Sequence, residues 1–200
     1  MPTTPGREAP SVVVLAGPNG AGKSTAAPSL LKGRLAVDPF VNADEIARGL
    51  AGFAPETAAI PAGRIMLARL KELAAARANF AFETTLASRS LTPWIESLTA
   101  SGYRFHLVFL WLPSADLAVA RVRDRVRQGG HDVPETTIRR RYRSGLANFW
   151  RLYRSITTTW RVYNSSDGRP LRLVARGRGA RVDQVRDAET WRQVEREKDP

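Results

Sequence analysis

The 200-residue sequence contains no cysteine, so neither a disulfide framework nor a thiolate metal site can be built from it. Its two histidines, His106 and His131, are too few for a histidine metal cluster. Long apolar runs are missing too: the longest, Leu107 to Pro113, falls far short of the roughly 20 residues that cross a bilayer. The opening MPTTPGREAP has no apolar run of signal-peptide type. A cytoplasmic protein with no membrane partner is the expectation. Lysine is scarce, supplying four of the 31 Lys and Arg residues.

Arginine is what the chain has in excess. Against 19 acidic residues it leaves a net charge of +12, a balance that attracts nucleic acid, acidic lipid or phosphorylated small molecules. Eleven arginines fall between Arg121 and Arg161 against three acids, Asp124, Asp132 and Glu135. The excess is therefore dense where an anion site can form, although a general arginine bias explains the ratio to lysine equally well.

With 43% hydrophobic residues, the chain can bury one ordinary core without staples. Residues 1–10, with three prolines and no periodicity, read as a disordered leader, and 11–200 as a single domain. Ser11 to Gly17 is an unbroken apolar run, the pattern of a parallel strand buried on both faces, and a helix from Lys23 to Lys32 is expected after it. Phe40 to Ala43, Asn79 to Thr84, Phe105 to Leu112, Val162 to Ser165 and Leu171 to Ala175 are further strands. Helices are expected over Asp44 to Leu50, Pro55 to Ala78, Leu91 to Ser101, from Ser114 to the Gly129-Gly130 break, from Pro134 onward, and over Ala188 to Lys198. The alternation predicts an α/β fold with a mainly parallel sheet.

The chemistry starts at Gly17-Pro18-Asn19-Gly20-Ala21-Gly22-Lys23-Ser24, followed by Thr25, which satisfies G-x-x-x-x-G-K-[ST] between a buried strand and a helix start. Backbone N–H groups there turn around a β-phosphate, Lys23 bridges β- and γ-phosphates, and Ser24 ligates Mg²⁺. ATP and Mg²⁺ are the expected cofactors. A GTPase would carry an N-K-x-D base reader, which this chain lacks; a transport ATPase would carry an apolar strand ending in Asp-Glu, whereas the best candidate ends LWLP.

A small-molecule kinase needs a carboxylate near the acceptor hydroxyl, a polar acceptor pocket and cations over the γ-phosphate. Asp44 in VNADEI is the candidate base, with capping of the following helix as its alternative role and Glu45 as competitor. Asn42, Glu83, Thr84 and Thr85 are candidate acceptor-binding residues, Glu83 to Thr85 doubling as ordinary turn residues or as support for Mg²⁺. On the helix from Ser114, Arg121 and Arg125 share one flank of the apolar stripe, Arg123 and Arg127 the other. On the next helix Arg140 and Arg141 point away from the apolar face, while Arg139 and Arg143 flank it. Two basic helices joined by Gly-Gly-His-Asp suggest a hinged, arginine-lined lid over about 121–145; a solvated basic face is the alternative.

AGPNGAGKST, FVNADEIARGL, FAFETTL and RVRDRVRQGGHDVPETTIRRRY together resemble the short bacterial zeta-toxin-like P-loop kinases, also labelled predicted ABC-type ATPases, over about Val12 to Ala175. The resemblance implies a P-loop NTPase three-layer sandwich of nucleoside-monophosphate-kinase type that transfers the γ-phosphate of ATP to a hydroxyl. In well-studied zeta toxins the acceptor is UDP-N-acetylglucosamine, and an antitoxin is the partner. Carried over by motif, Lys23 and Ser24 hold phosphates and Mg²⁺, Asp44 is the general base, Glu83 and Thr85 fall in the acceptor segment, and Arg125 with Arg140 or Arg141 are lid arginines. Arg121 joins the nucleotide contacts, and Asn164, in VYNSS, is an adenine-pocket candidate. The chain is shorter than toxin-grade members and lacks room for their extended acceptor and antitoxin elements. Two other readings stay open: a nucleoside or nucleic-acid-end kinase, with nucleic acid the less favoured partner, and a non-catalytic protein whose nucleotide sets a conformation that a partner reads.

Overall fold

The structure, a computed structural model, describes residues 8–35, 37–52, 54–167 and 170–198, without the side chains of 33–35, 55 and 56. Seven strands form one sheet in the order β2-β3-β1-β4-β5-β6-β7: β1 (Ser11–Ala16), β2 (Phe40–Val41), β3 (Phe80–Thr84), β4 (Arg104–Trp111), β5 (Thr159–Asn164), β6 (Arg172–Arg178) and β7 (Arg181–Val185). The first five in that order are parallel, and β6 and β7 add antiparallel. β1 and β4 are the most apolar runs because they lie in the middle, buried on both faces.

Helices cover both faces, so the domain is a three-layer sandwich. On one side α3 (Ala59–Ala75), α4 (Thr92–Ala100) and α7 (Ala188–Arg196) pack Leu70, Ile95 and Trp191 onto Phe80, Phe105 and Trp160. On the other, α1 (Lys23–Ala27) and α5 (Ala115–Arg127) pack Ala26, Val119 and Val122 onto Val13, Leu15 and Val108. The short α2 (Ala43–Leu50) sits beside α3 through Ala47 and Ala62. α6 (Glu135–Asn148) belongs to both layers, giving Ile138 and Tyr142 to one core and Leu146 to the other.

The caps follow the sequence. Ser114 accepts from Leu117 N–H at 3.1 Å to start α5, and Asp187 accepts from Thr190 N–H at 3.0 Å to start α7. Pro28 has no N–H to give, so the α-type turns stop at Ala27, and the helical run continues in wider i→i+5 turns to Leu35, past the expected end at Lys32. α3 begins only at Ala59, after a tight turn over Pro55–Ala58. β7 has no counterpart among the expected elements: its residues are largely exposed, so RVDQV carries no apolar run to betray it. Of the expected leader, residues 1–7 lie outside the described residues, while the Pro10 carbonyl accepts from Arg104 N–H at 2.8 Å.

Candidate functional site

The phosphate loop leaves β1 where its neighbours diverge, with β3 on one side and β4 on the other. Its tight path requires glycine at the first position: Gly17 has φ +141°, and a Cβ there would lie 2.4 Å from the Leu110 carbonyl oxygen. Lys23 folds back over the loop and donates to the carbonyl oxygens of Gly17 and Pro18, each at 2.9 Å. Burial pushes the Lys23 ammonium below its ordinary pKa, with Arg125 and Arg141 adding to the effect while Glu83 and Asp44 oppose it. Those four residues are thus all within electrostatic reach of one buried lysine.

Glu83, at the end of β3, is the hub of the loop's near wall. Its carboxylate accepts from Ser24 Oγ at 2.9 Å and from Asn42 Nδ2 at 3.1 Å, and lies 3.7 Å from Lys23 Nζ. Among the described residues no group of three or more His, Cys, Asp or Glu could chelate a metal. Ser24 and, behind it, Glu83 are the residues beside the loop that would hold a Mg²⁺ ion carried in by a triphosphate.

Asn42 caps α2, its Oδ1 accepting from Asp44 N–H at 2.8 Å. The capping role is therefore taken by Asn42, and the Asp44 carboxylate is left at the mouth of the cleft, where it acts on Lys23 and Arg141. Glu45 points elsewhere and pairs with Arg48 at 2.9 Å. Asn19, Lys23, Asn42, Asp44, Glu83, Thr84, Thr85 and Arg141 line one cleft of about 430 Å³. Its far wall comprises Ile60, Arg64, Met66 and Leu67 of α3, with Ser88, Ser90 and Leu91, none of which a motif marks.

The arginines divide by partner. Arg121 donates to Gly20 O and Ser165 Oγ, both at 3.5 Å, tying α5 to the phosphate loop. Arg125 donates to His131 O at 2.6 Å, while Gly130 sits so close that a Cβ there would meet Arg125 Cγ at 2.5 Å. On the other flank Arg123 binds Glu135 at 2.7 Å, and Arg139 binds Asp116 and Glu135 at 2.7 and 2.8 Å, bracing the two helices. Arg141 reaches Asn19 Oδ1 at 3.5 Å, and burial lowers its pKa against the pull of Asp44. The expectation that Arg140 and Arg141 share one outward side is corrected: Arg141 faces the cleft, whereas Arg140 lies outside it beside Thr136, Arg139, Arg143 and Ser144. The reason is that α6 crosses between the two cores and so buries more than one face.

α6 is also fixed to the cleft. A Cβ on Gly145 would lie 2.3 Å from Thr85 O, so only glycine permits this approach. Asn148 Nδ2 donates to Leu86 O at 2.7 Å, and Tyr153 to Ser88 O at 2.9 Å.

A second cavity of about 560 Å³ adjoins the loop, lined by Ala21, Gly22, Thr25, Ala26, Leu30, Arg121, Tyr163, Ser165, Pro170 and Leu171. Apolar walls with one guanidinium suit a base. Asn164 is not in its lining: alternation along β5 turns Asn164 to the opposite face, where it donates to Thr190 Oγ1 at 3.4 Å and accepts from Ser166. Its neighbours Tyr163 and Ser165 take the cavity wall.

A family profile described as an AAA domain matches residues 12–147. The chain belongs to this family. An uncharacterized protein of Haemophilus influenzae is 29% identical to this chain over 126 residues, 63% of this chain and 88% of that protein. In three dimensions it matches a chain of the AvrRxo1-ORF1:ORF2 assembly crystallised with ATP, at TM-score 0.69 and 16% identity over 92% of this chain and 63% of that one. It also matches the PezAT toxin-antitoxin system of Streptococcus pneumoniae, at TM-score 0.61 and 16% identity over 85% and 72%. The chain thus spans 63% of the AvrRxo1 chain's length. The α/β P-loop fold and the zeta-toxin-like resemblance agree with these likenesses. No helix among the described residues is long and apolar enough to cross a membrane.

Proposed function

We propose that the protein is an ATP-dependent kinase that transfers the γ-phosphoryl group to an alcohol hydroxyl of a small molecule. One observation carries the reading: Asp44, Lys23, Glu83 and Arg141 line the same cleft, which opens onto the phosphate loop. The base enters the apolar cavity beside Arg121, and the triphosphate follows the loop amides past Lys23. Ser24 would hold a Mg²⁺ ion that arrives with the triphosphate, and that ion would supply charge neutralisation. Asp44 accepts the acceptor's hydroxyl proton, and Arg141 with Arg125 offsets charge on the transferring group. Thr84, Thr85 and Ser88 give the acceptor hydrogen-bond partners against the apolar wall of Ile60 and Leu67.

A nucleotide sugar such as UDP-N-acetylglucosamine is the leading acceptor, in keeping with the zeta-toxin resemblance, and an antitoxin-like protein is the corresponding partner. The test is incubation with γ-labelled ATP and a cellular metabolite extract, with UDP-N-acetylglucosamine run separately. Label on an alcohol of a small molecule is the expected result. Label released only as inorganic phosphate, or none moved at all, would overturn the reading.

A further inference from the structure

The sheet carries a second basic site at the end away from the phosphate loop. β5 enters the sheet at Thr159, opposite His106 of β4, whereas the loop leaves β1 beyond Ala16, opposite Phe109. Alternation places Thr159, Arg161 and Arg176 on the same face as Val108, but α5 covers only the loop end of that face. What stays open is a cavity of about 600 Å³ lined by Arg161, Arg176, Arg178, Arg181, Thr159 and Asp183, among others.

The charge arrangement is costly without a ligand. Arg161 stands directly opposite Arg176, and Arg178 directly opposite Arg181; like charges in cross-strand register destabilise a sheet. Asp183 is the single acid in the lining, and Arg178 and Arg181 both bind it, at 2.9 and 2.6 Å. Arg161 and Arg176 form no ion pair with any described residue. Beside them His106 Nδ1 lies 2.8 Å from Thr159 Oγ1, with its pKa lowered by burial first and then by Arg104 and Arg161.

We propose that this cavity binds the phosphate backbone of nucleic acid, without reading its sequence. Guanidinium forks match phosphate oxygens two at a time, and a polar, strongly positive surface is the character of nucleic-acid rather than protein contacts. Trp160, the cavity's one aromatic, is 0% exposed, so it offers no platform for stacking a base. An acidic protein would need apolar anchors that the cavity lacks apart from Val182. The site owes nothing to the kinase reading, because it lies at the other end of the strands.

The experiment is fluorescence anisotropy of a labelled single-stranded oligonucleotide over a series of salt concentrations, run without ATP and again with saturating ATP. Affinity should fall steeply with salt. The double variant Arg161→Ala/Arg176→Ala should bind at least about tenfold more weakly, with the log–log salt slope reduced by about 1.4, from ~0.7 per lost contact on a single strand. Wild-type affinity in the double variant, displacement by ATP, or equal displacement by polyglutamate at matched charge would overturn the proposal. A second measurement needs no variant: in the intact protein, oligonucleotide should shift the ring NMR signals of His106 and leave those of His131. Movement of His131 alone, or of neither, counts against the site.

Discussion

The Ser24 hydroxyl donates a hydrogen bond to Glu83 at 2.9 Å, although a phosphate loop offers that hydroxyl to a metal when nucleotide is present. The same carboxylate stands 3.7 Å from Lys23, with side-chain exposures of 10% and 6%. Replacing Glu83 by Gln keeps acceptors for Ser24 and Asn42 but removes the charge that offsets the buried ammonium. Stability should drop by about 1–3 kcal/mol, read by chemical denaturation, and Mg²⁺-dependent ATP affinity should fall with it. An unchanged midpoint together with unchanged affinity would show that the carboxylate is dispensable.

Asp44→Asn addresses the acceptor side alone. The side chain is neither the cap of α2 nor a ligand of the phosphate loop in this structure, so ATP binding measured by calorimetry should stay within about twofold. Turnover should fall by about 10²–10⁴, the usual contribution of a general base. Retained phosphotransfer would remove Asp44 from the role.

Arg140 and Arg141 are adjacent in sequence but face different surroundings. Arg141→Ala should lower kcat by about 10²-fold or more, as when one donor to transition-state charge is deleted, whereas Arg140→Ala should leave it nearly unchanged. Equal losses in steady-state assays would mean that α6 as a whole, rather than one guanidinium, is required.

The Tyr142 hydroxyl oxygen lies 2.9 Å from Leu112 O and 3.2 Å from Glu197 Oε1, and its one O–H can donate to either. Burial raises the Glu197 pKa above its ordinary 4.5, against the smaller opposing effect of the Tyr142 hydrogen bond. With a raised folded pKa, the native state holds a proton that the unfolded chain has already released. Stability from this group is therefore full below pH about 4.5 and declines as pH rises through the folded value. Denaturation midpoints across that window should slope downward in the wild type and less steeply in Glu197→Gln.

The phosphate loop was legible because its constraints are local: an unbroken apolar strand, three glycines at fixed spacing, and the Lys-Ser pair that closes the motif. The tertiary part of the site was not. Nothing local to α6 tells that it spans two cores, and this alone separates Arg141 from Arg140. Asn164 lies outside the apolar cavity because strand alternation, which a short motif does not reveal, turns its side chain to the other face. The α3 wall of the cleft, with Ile60, Met66 and Leu67, is invisible in sequence because apolar residues on a helix read first as core. β7 was missed because an exposed edge strand needs no apolar pattern.

Gly145 lets α6 rest on the carbonyl of Thr85, and Asn148 and Tyr153 hold the chain just beyond it. The arginine above the phosphate loop and the hydroxyl-bearing wall below therefore ride on one rigid piece. On the proposed kinase reading, a ligand that shifted the wall of Thr85 and Ser88 would carry Arg141 with it, so donor and acceptor would be weighed together rather than in turn.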